Sequence, residues 1–185
     1  MRAIDPDNSE LLLIDFQQRL MPAISNAATR IKNARRLLAA AELLGIRHTV
    51  TEQNPAGLGA TVPEFVRPGS EAFGKMTFGG FKNEAIAFRL EEESDLVVAG
   101  CEAHVCLLQT VLGALDCRRK VFVVADAVGS RTAENRSAAI DRMRSHGAEI
   151  VTTEMVLFEW LVTAEHPKFK AIIELIKTPP PSATL

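Results

Sequence analysis

The sequence predicts a three-layer, Rossmann-like α/β domain with a six-stranded, mainly parallel sheet in the order 3-2-1-4-5-6. Three observations predict it. Six short apolar runs alternate with segments of helical period, the pattern of successive β-α-β units. Runs such as ELLLI and VFVVA are continuous rather than alternating, which suits parallel strands covered on both faces. A chain of 185 residues that is 47% hydrophobic has the apolar material for one domain with a sizeable core. A single domain over residues 1–185 is expected, since no repeat or linker divides the chain.

The elements follow in order. The first strand, Glu10 to Ile14, stops at Asp15, and Pro22 marks a loop. Ile31, Ala34, Leu37, Leu38, Ala41 and Leu44 recur at helical spacing, which predicts a helix over Ala27 to Leu44 with Gly45 as its stop. Ile46 to Thr51 is the second strand. Glu52 to Pro68, EQNPAGLGATVPEFVRP, is rich in Pro and Gly and has no period. It is long for a connection, as binding loops often are. Its G-x-G lacks the third glycine and the strand–turn–helix setting of a dinucleotide site. Ala72 to Met76 makes a short third strand with Lys75 near its end, before the turn-like TFGGF. A helix over Asn83 to Glu92 precedes a fourth strand, Leu96 to Ala99, which is expected to end at Gly100. Val121 to Ala125 is the fifth strand, Thr132 to His146 a helix closed by Gly147, and Glu149 to Thr152 the sixth strand. Helices near Met155 to Val162 and Pro167 to Lys177 complete the fold, with an extended or disordered tail over 179–185.

Charge and composition narrow the function. A net charge of -2 makes no electrostatic case for nucleic acid or a membrane surface. No apolar run approaches membrane-spanning length, and MRAIDPDNSE lacks the apolar core of a signal peptide. Three cysteines, without the spacing of a secreted scaffold, predict free thiols in a reducing, cytoplasmic setting. With no tyrosine, acid–base chemistry falls to Asp, Glu, His, Lys or Cys.

The most informative stretch is VVAGCEAHVCLLQT, a strand that turns within a few residues into a helix with Cys106 in its first turn. Unpaired N–H groups at a helix start stabilise a thiolate and offer donors to an oxyanion. Val105, Leu108, Val111, Leu112 and Leu115 form one apolar stripe, while Cys106, Gln109, Thr110 and Gly113 fall on a small or polar face. An inert, half-buried thiol fits the spacing as well. Position decides between them: ligands of such sheets bind beyond the strand ends where strand order reverses, and Asp15 and Cys106 follow the two strands that flank that point.

Taken together, LLLIDFQ, KMTFGGF and GCEAHVCLLQT resemble the three signature blocks of the isochorismatase-like cysteine hydrolases. VTEQNPAGLGATVPE and HPKFKAIIELIK narrow the resemblance to the isochorismatase-domain-containing proteins, over roughly Ser9 to Pro180. The resemblance implies a catalytic triad of Asp15, Lys75 and Cys106. It implies a non-proline cis peptide between Cys101 and Glu102, and an oxyanion hole from the backbone N–H groups of Glu102 and Cys106. It also implies a homo-oligomer, for which the region of Phe158, Trp160 and Leu161 is a candidate contact surface. In this scheme Lys75 lowers the thiol pKa and Asp15 carries its proton. Substrate-binding candidates are Gln17, Gln53, Phe78, Phe81 and His104.

Each of these residues has a plainer reading. Asp15 suits a turn cap, Lys75 a solvated surface, Gln17 and Gln53 turn positions, and Phe78 and Phe81 the core. His104 lies two residues from Cys106 and so points to another side of the helix; it reads as pocket rim, not as the thiol's base. Zinc on Cys101, His104, Cys106 and Cys117 fails on geometry, because Cys106 and Cys117 are about 16 Å apart along a helix. The nicotinamidase branch of the family holds a metal after the second strand, where this chain has Glu52-Gln53-Asn54; no metal and no cofactor is expected. A Cys101–Cys106 redox pair lacks the C-x-x-C spacing. The sequence thus predicts a metal-independent cysteine hydrolase of a small molecule, cleaving an amide or related C–N bond. The alternatives are isochorismatase-type vinyl ether hydrolysis and an idle scaffold that binds a metabolite or a protein.

Overall fold

A computed structural model describes residues 3–67, 71–90 and 94–177. Its sheet has six strands in the order β3-β2-β1-β4-β5-β6: β1 Ser9–Ile14, β2 Arg47–Gln53, β3 Phe73–Lys75, β4 Asp95–Cys101, β5 Val121–Gly129 and β6 Glu149–Val151. All five pairings are parallel. Alternate residues of each central strand face opposite layers. Leu11, Leu13, Val97, Ala99, Phe122 and Val124 join one core; Leu12, Ile14, Leu96, Val98, Val121 and Val123 join the other. This double burial is why the strands read as unbroken apolar runs.

Helices α1 (Ala27–Leu44), α6 (Thr153–Leu161) and α7 (Phe169–Lys177) cover the first core. Helices α3 (Glu84–Arg89), α4 (Leu108–Asp116) and α5 (Ala133–Ser145) cover the second. The predicted stop of α1 is in place: the N–H of Gly45 reaches back to Ala41 and Glu42 from a φ of 73°. Thr132 and Thr152, expected as the first residue of a helix and the last of a strand, are N-caps that accept from the first turns of α5 and α6. The last residues of the predicted 83–92 helix and the 179–185 tail lie outside the described residues.

Four expectations change. Strand β4 does not end at Gly100 but runs through it to Cys101. Gly100 has a φ of 148°, and a Cβ there would overlap the carbonyl oxygen of Ile14, so glycine is required by the approach of β4 to β1. Strand β5 runs past Ala125 to Gly129, with a register shift against β4 between Val98 and Gly100. Asp126 lies inside the strand, where its carboxylate accepts from the N–H (2.8 Å) and hydroxyl (2.9 Å) of Thr153. The 52–68 loop contains a short helix, α2 (Pro55–Leu58), and a 3-10 turn at Pro63–Phe65. Finally, Trp160 and Leu161 are buried in the core at 1% exposure and offer nothing to a partner; Phe158 is exposed.

Candidate active site

Four neighbouring strands deliver the site at their carboxyl ends, on both sides of the point where strand order reverses. Asp15 follows β1 in a left-handed conformation (φ 55°), and its N–H donates to Thr51 of β2 at 3.1 Å. Gln53 and Lys75 are register partners on β2 and β3, so their side chains leave the sheet together. Beyond β4, the Cys101–Glu102 peptide is cis. The chain then makes one π-helical turn over Ala103–Leu107 before α4, with the Leu107 N–H bonded to Glu102 O at 3.3 Å. Cys106 sits in that turn, a feature found often at functional sites.

The side chains of these elements converge. Lys75 Nζ is 2.7 Å from Asp15 Oδ2 and 2.8 Å from Gln53 Oε1. The Cys106 sulfur lies 3.7 Å from the same Gln53 oxygen. Thr51 donates its hydroxyl to the other Asp15 oxygen at 2.7 Å. Burial is nearly complete, with Asp15, Lys75, Cys106 and Gln53 exposing 0, 2, 5 and 7%. A buried ion pair of this kind costs several kcal/mol per ion in desolvation and is only offset by good geometry with further hydrogen bonds, which Thr51 and Gln53 supply.

The electrostatics reverse one expectation. Burial first, and the Asp15 carboxylate second, push the Cys106 thiol up to about 12; the Lys75 ammonium opposes them. The shift runs opposite to the one expected of a thiol at a helix start, because desolvation outweighs the cation. Cys106 also packs within the second core rather than facing outward.

The other expected residues divide. Gln53 lies at the centre of the site, with its Nε2 held by Met76 O at 2.9 Å. Gln17 is fully buried and both ends of its amide are engaged. Its Nε2 donates to Gln53 O (3.0 Å) and Gly59 O (2.7 Å), and its Oε1 accepts the Gln53 N–H (2.8 Å). It braces Gln53 and leaves no polar atom for a ligand. Phe78 is half exposed. Phe81 is partly buried and packs on α4, where a Cβ on Gly113 would come within 3.1 Å of it. His104 is half-buried, 3.1 Å from the Ser130 hydroxyl. The Glu102 carboxylate turns away to the N–H (3.1 Å) and Nε (3.0 Å) of Arg131, leaving its backbone as the part that faces the Cys106 turn. Among the described residues, no three His, Cys, Asp or Glu side chains converge as a metal-holding set. Sequence reasoning missed Thr51 and Thr110. The signal for Thr51 is the β1–β2 register, which pairs it with Ile14 and so sets it beside Asp15.

Fold and site together define a doubly wound, parallel-sheet domain whose switch point carries a buried thiol, an ammonium and a carboxylate. The family model of the isochorismatase domain matches residues 9–155, and the chain belongs to the isochorismatase-like hydrolase family. Isochorismatase domain-containing protein 2 of Danio rerio is 37% identical, over 96% of this chain and 91% of its own. The structure of MAR1 ribonuclease from Caenorhabditis elegans is similar at a TM-score of 0.90 and 35% identity, covering 99% of this chain and 96% of that one. The Escherichia coli YcaC gene product, an octameric hydrolase of unknown specificity, shares the fold at a TM-score of 0.87 and 23% identity, over 95% and 90% of the two chains.

Proposed function

We propose that this protein is a metal-independent cysteine hydrolase of a small molecule, cleaving an amide or related C–N bond through a thioester. One observation carries the reading: Lys75 bridges Asp15 and Gln53, and the Cys106 sulfur meets the same Gln53 oxygen. Asp15 takes the thiol proton as the sulfur attacks the carbonyl carbon, so the thiolate exists only during attack and not at rest. Lys75 holds Asp15 and favours the transient sulfur anion. The N–H groups of Glu102 and Cys106 receive the carbonyl oxygen as it gains charge. The C–N bond then breaks, and Asp15 returns the proton to the departing nitrogen. Water, deprotonated by Asp15, attacks the thioester; the C–S bond breaks, the acid leaves, and Asp15 returns that proton to the Cys106 sulfur. A site this buried suits a small substrate, and Gln53 and the half-exposed Phe78 and His104 are its nearest candidates for contact. Three free cysteines suit a reducing, cytoplasmic setting. The same reading includes self-association, supported by the exposed Phe158.

Intact-mass analysis against a panel of small amides and ureas tests the reading. An acyl adduct on Cys106 is expected, and Cys106→Ala should lose the adduct and turnover, the latter by roughly three orders of magnitude or more. Hydrolysis retained by Cys106→Ala would overturn the nucleophile. The name of the Caenorhabditis elegans relative favours a second reading, RNA cleavage. A net charge of -2 supplies little phosphate attraction, and a nearly closed thiol leaves little room for a strand. RNA degraded by the wild type but not by Cys106→Ala would establish that reading instead.

A further inference from the structure

We propose that Thr110 is a positioning residue that couples the loop carrying Lys75 to the turn carrying Cys106. The inference rests on the hydrolase reading for its purpose, but not for its geometry. Thr110 is buried at 2% exposure, one turn into α4 from the sulfur. Its hydroxyl has one proton, donated to the Cys106 carbonyl at 2.7 Å. Its lone pairs accept the N–H of Gly80 at 2.9 Å. Gly80 is five residues beyond Lys75, and the intervening backbone is fixed a second time where Gln53 Nε2 holds Met76 O at 2.9 Å. Glycines at the contact let the loop lie this close without displacing α4. A Cβ on Gly79 would sit 3.3 Å from Gln109 O, and one on Gly80 would sit 3.2 Å from the Thr110 methyl.

The consequence is a relay of backbone positions, from Lys75 through Gly80 and Thr110 to the Cys106 carbonyl. Both roles of the hydroxyl are engaged, so an isosteric methyl breaks two hydrogen bonds and strands a buried N–H. The Asp15–Lys75 pair survives such a change, since β1 and β3 hold it. What loosens is the position of the sulfur relative to that pair. Burial and Asp15 raise the thiol pKa more than Lys75 lowers it, so a sulfur that slips from the pair and gains water forms its thiolate more easily.

The test is the pH profile of iodoacetamide labelling at Cys106, read by peptide mass, alongside the thermal midpoint. It is made in a Cys117→Ser background, because Cys117 is exposed. Thr110→Val should label about tenfold faster at a fixed pH, a downward move of about one pH unit, and Thr110→Ser should restore the parent profile. Should Thr110→Val fail to fold, Gly80→Ala presses on the same contact from the loop side and should move the profile in the same direction. A folded Thr110→Val or Gly80→Ala with a lowered midpoint and an unmoved profile would reduce Thr110 to a packing residue. A Thr110→Ser profile displaced as far as that of Thr110→Val would remove the hydroxyl from the account. A parent protein that labels like a free thiol would count against the hydrolase reading, and the displacement between variants would still decide the coupling.

Discussion

The Cys106 sulfur lies between a carboxylate and an ammonium, and the two act on it in opposite directions. Asp15 raises the thiol pKa and Lys75 lowers it, with burial dominating both. Removing the negative charge should therefore make the thiolate easier to form, and removing the positive charge should make it harder. In a Cys117→Ser background, Asp15→Asn is expected to label with iodoacetamide faster than its parent, and Lys75→Met more slowly, each by about an order of magnitude. Turnover should be lost in both, since an amide cannot carry the proton. Each change also breaks a buried ion pair, at about 3–5 kcal/mol of stability, so profiles are compared at temperatures where circular dichroism shows both variants folded. Equal slowing by both substitutions would mean that the pair acts on the thiol as one coupled unit.

At the scale of elements, the site depends on how closely β4 can approach β1. Ile14 pairs with Gly100 in that ladder, Asp15 follows the first residue, and the turn bearing Cys106 follows the second. Gly100→Ala meets both an unfavourable φ and the Ile14 carbonyl, and should cost about 3 kcal/mol or more. Gly74→Ala is the control, because a Cβ there makes only ordinary contact with Pro55 at 3.6 Å; it should change stability by less than about 1 kcal/mol. Urea unfolding of the two variants checks this, and a Gly100→Ala midpoint near that of wild type would show that the central ladder yields without strain. The π-helical turn belongs to the same scale. A single widened turn places the sulfur beside Gln53 instead of out on the polar face that the α4 periodicity suggests.

At the scale of the whole molecule, the described residues expose an apolar stripe on one helix. Met155, Phe158 and Val162 follow one another at helical spacing along α6 and just beyond it, exposed by 45, 47 and 75%. Among the described residues, no helix is long and apolar enough to cross a membrane, and an apolar stripe of this kind suits contact with another protein surface. If the self-association proposed above uses it, light scattering at micromolar concentration should give a multiple of the chain mass, and Phe158→Asp should lower that multiple. A wild-type monomer would refute self-association; an oligomer indifferent to Phe158→Asp would place the contact elsewhere.

The sequence by itself determined the α1 boundaries and the stop at Gly45, and its alternation of apolar runs with helical periods pointed to the strand order. These are written in local periodicity and in residues that act on their immediate neighbours. It also brought Asp15, Lys75 and Cys106 into consideration, through short blocks that resemble a family. It misplaced the ends of β4 and β5, because Gly100 reads as a stop until the Ile14 backbone stands beside it, and nothing local shows that Thr153 holds Asp126 within the strand. Only the tertiary structure decided that Gln17 is a brace, that Thr51 donates to Asp15 and Thr110 to the Cys106 carbonyl, and that Trp160 is core. It also decided the sign of the shift at Cys106. A helix start, read locally, favours a thiolate; the strands that enclose the sulfur remove its water, and the desolvation they impose outweighs the local field. The partners that set this chemistry are far apart in the chain, Gln53 from Cys106 and Asp15 from Lys75, and only the parallel packing of four strands brings them within reach of one another.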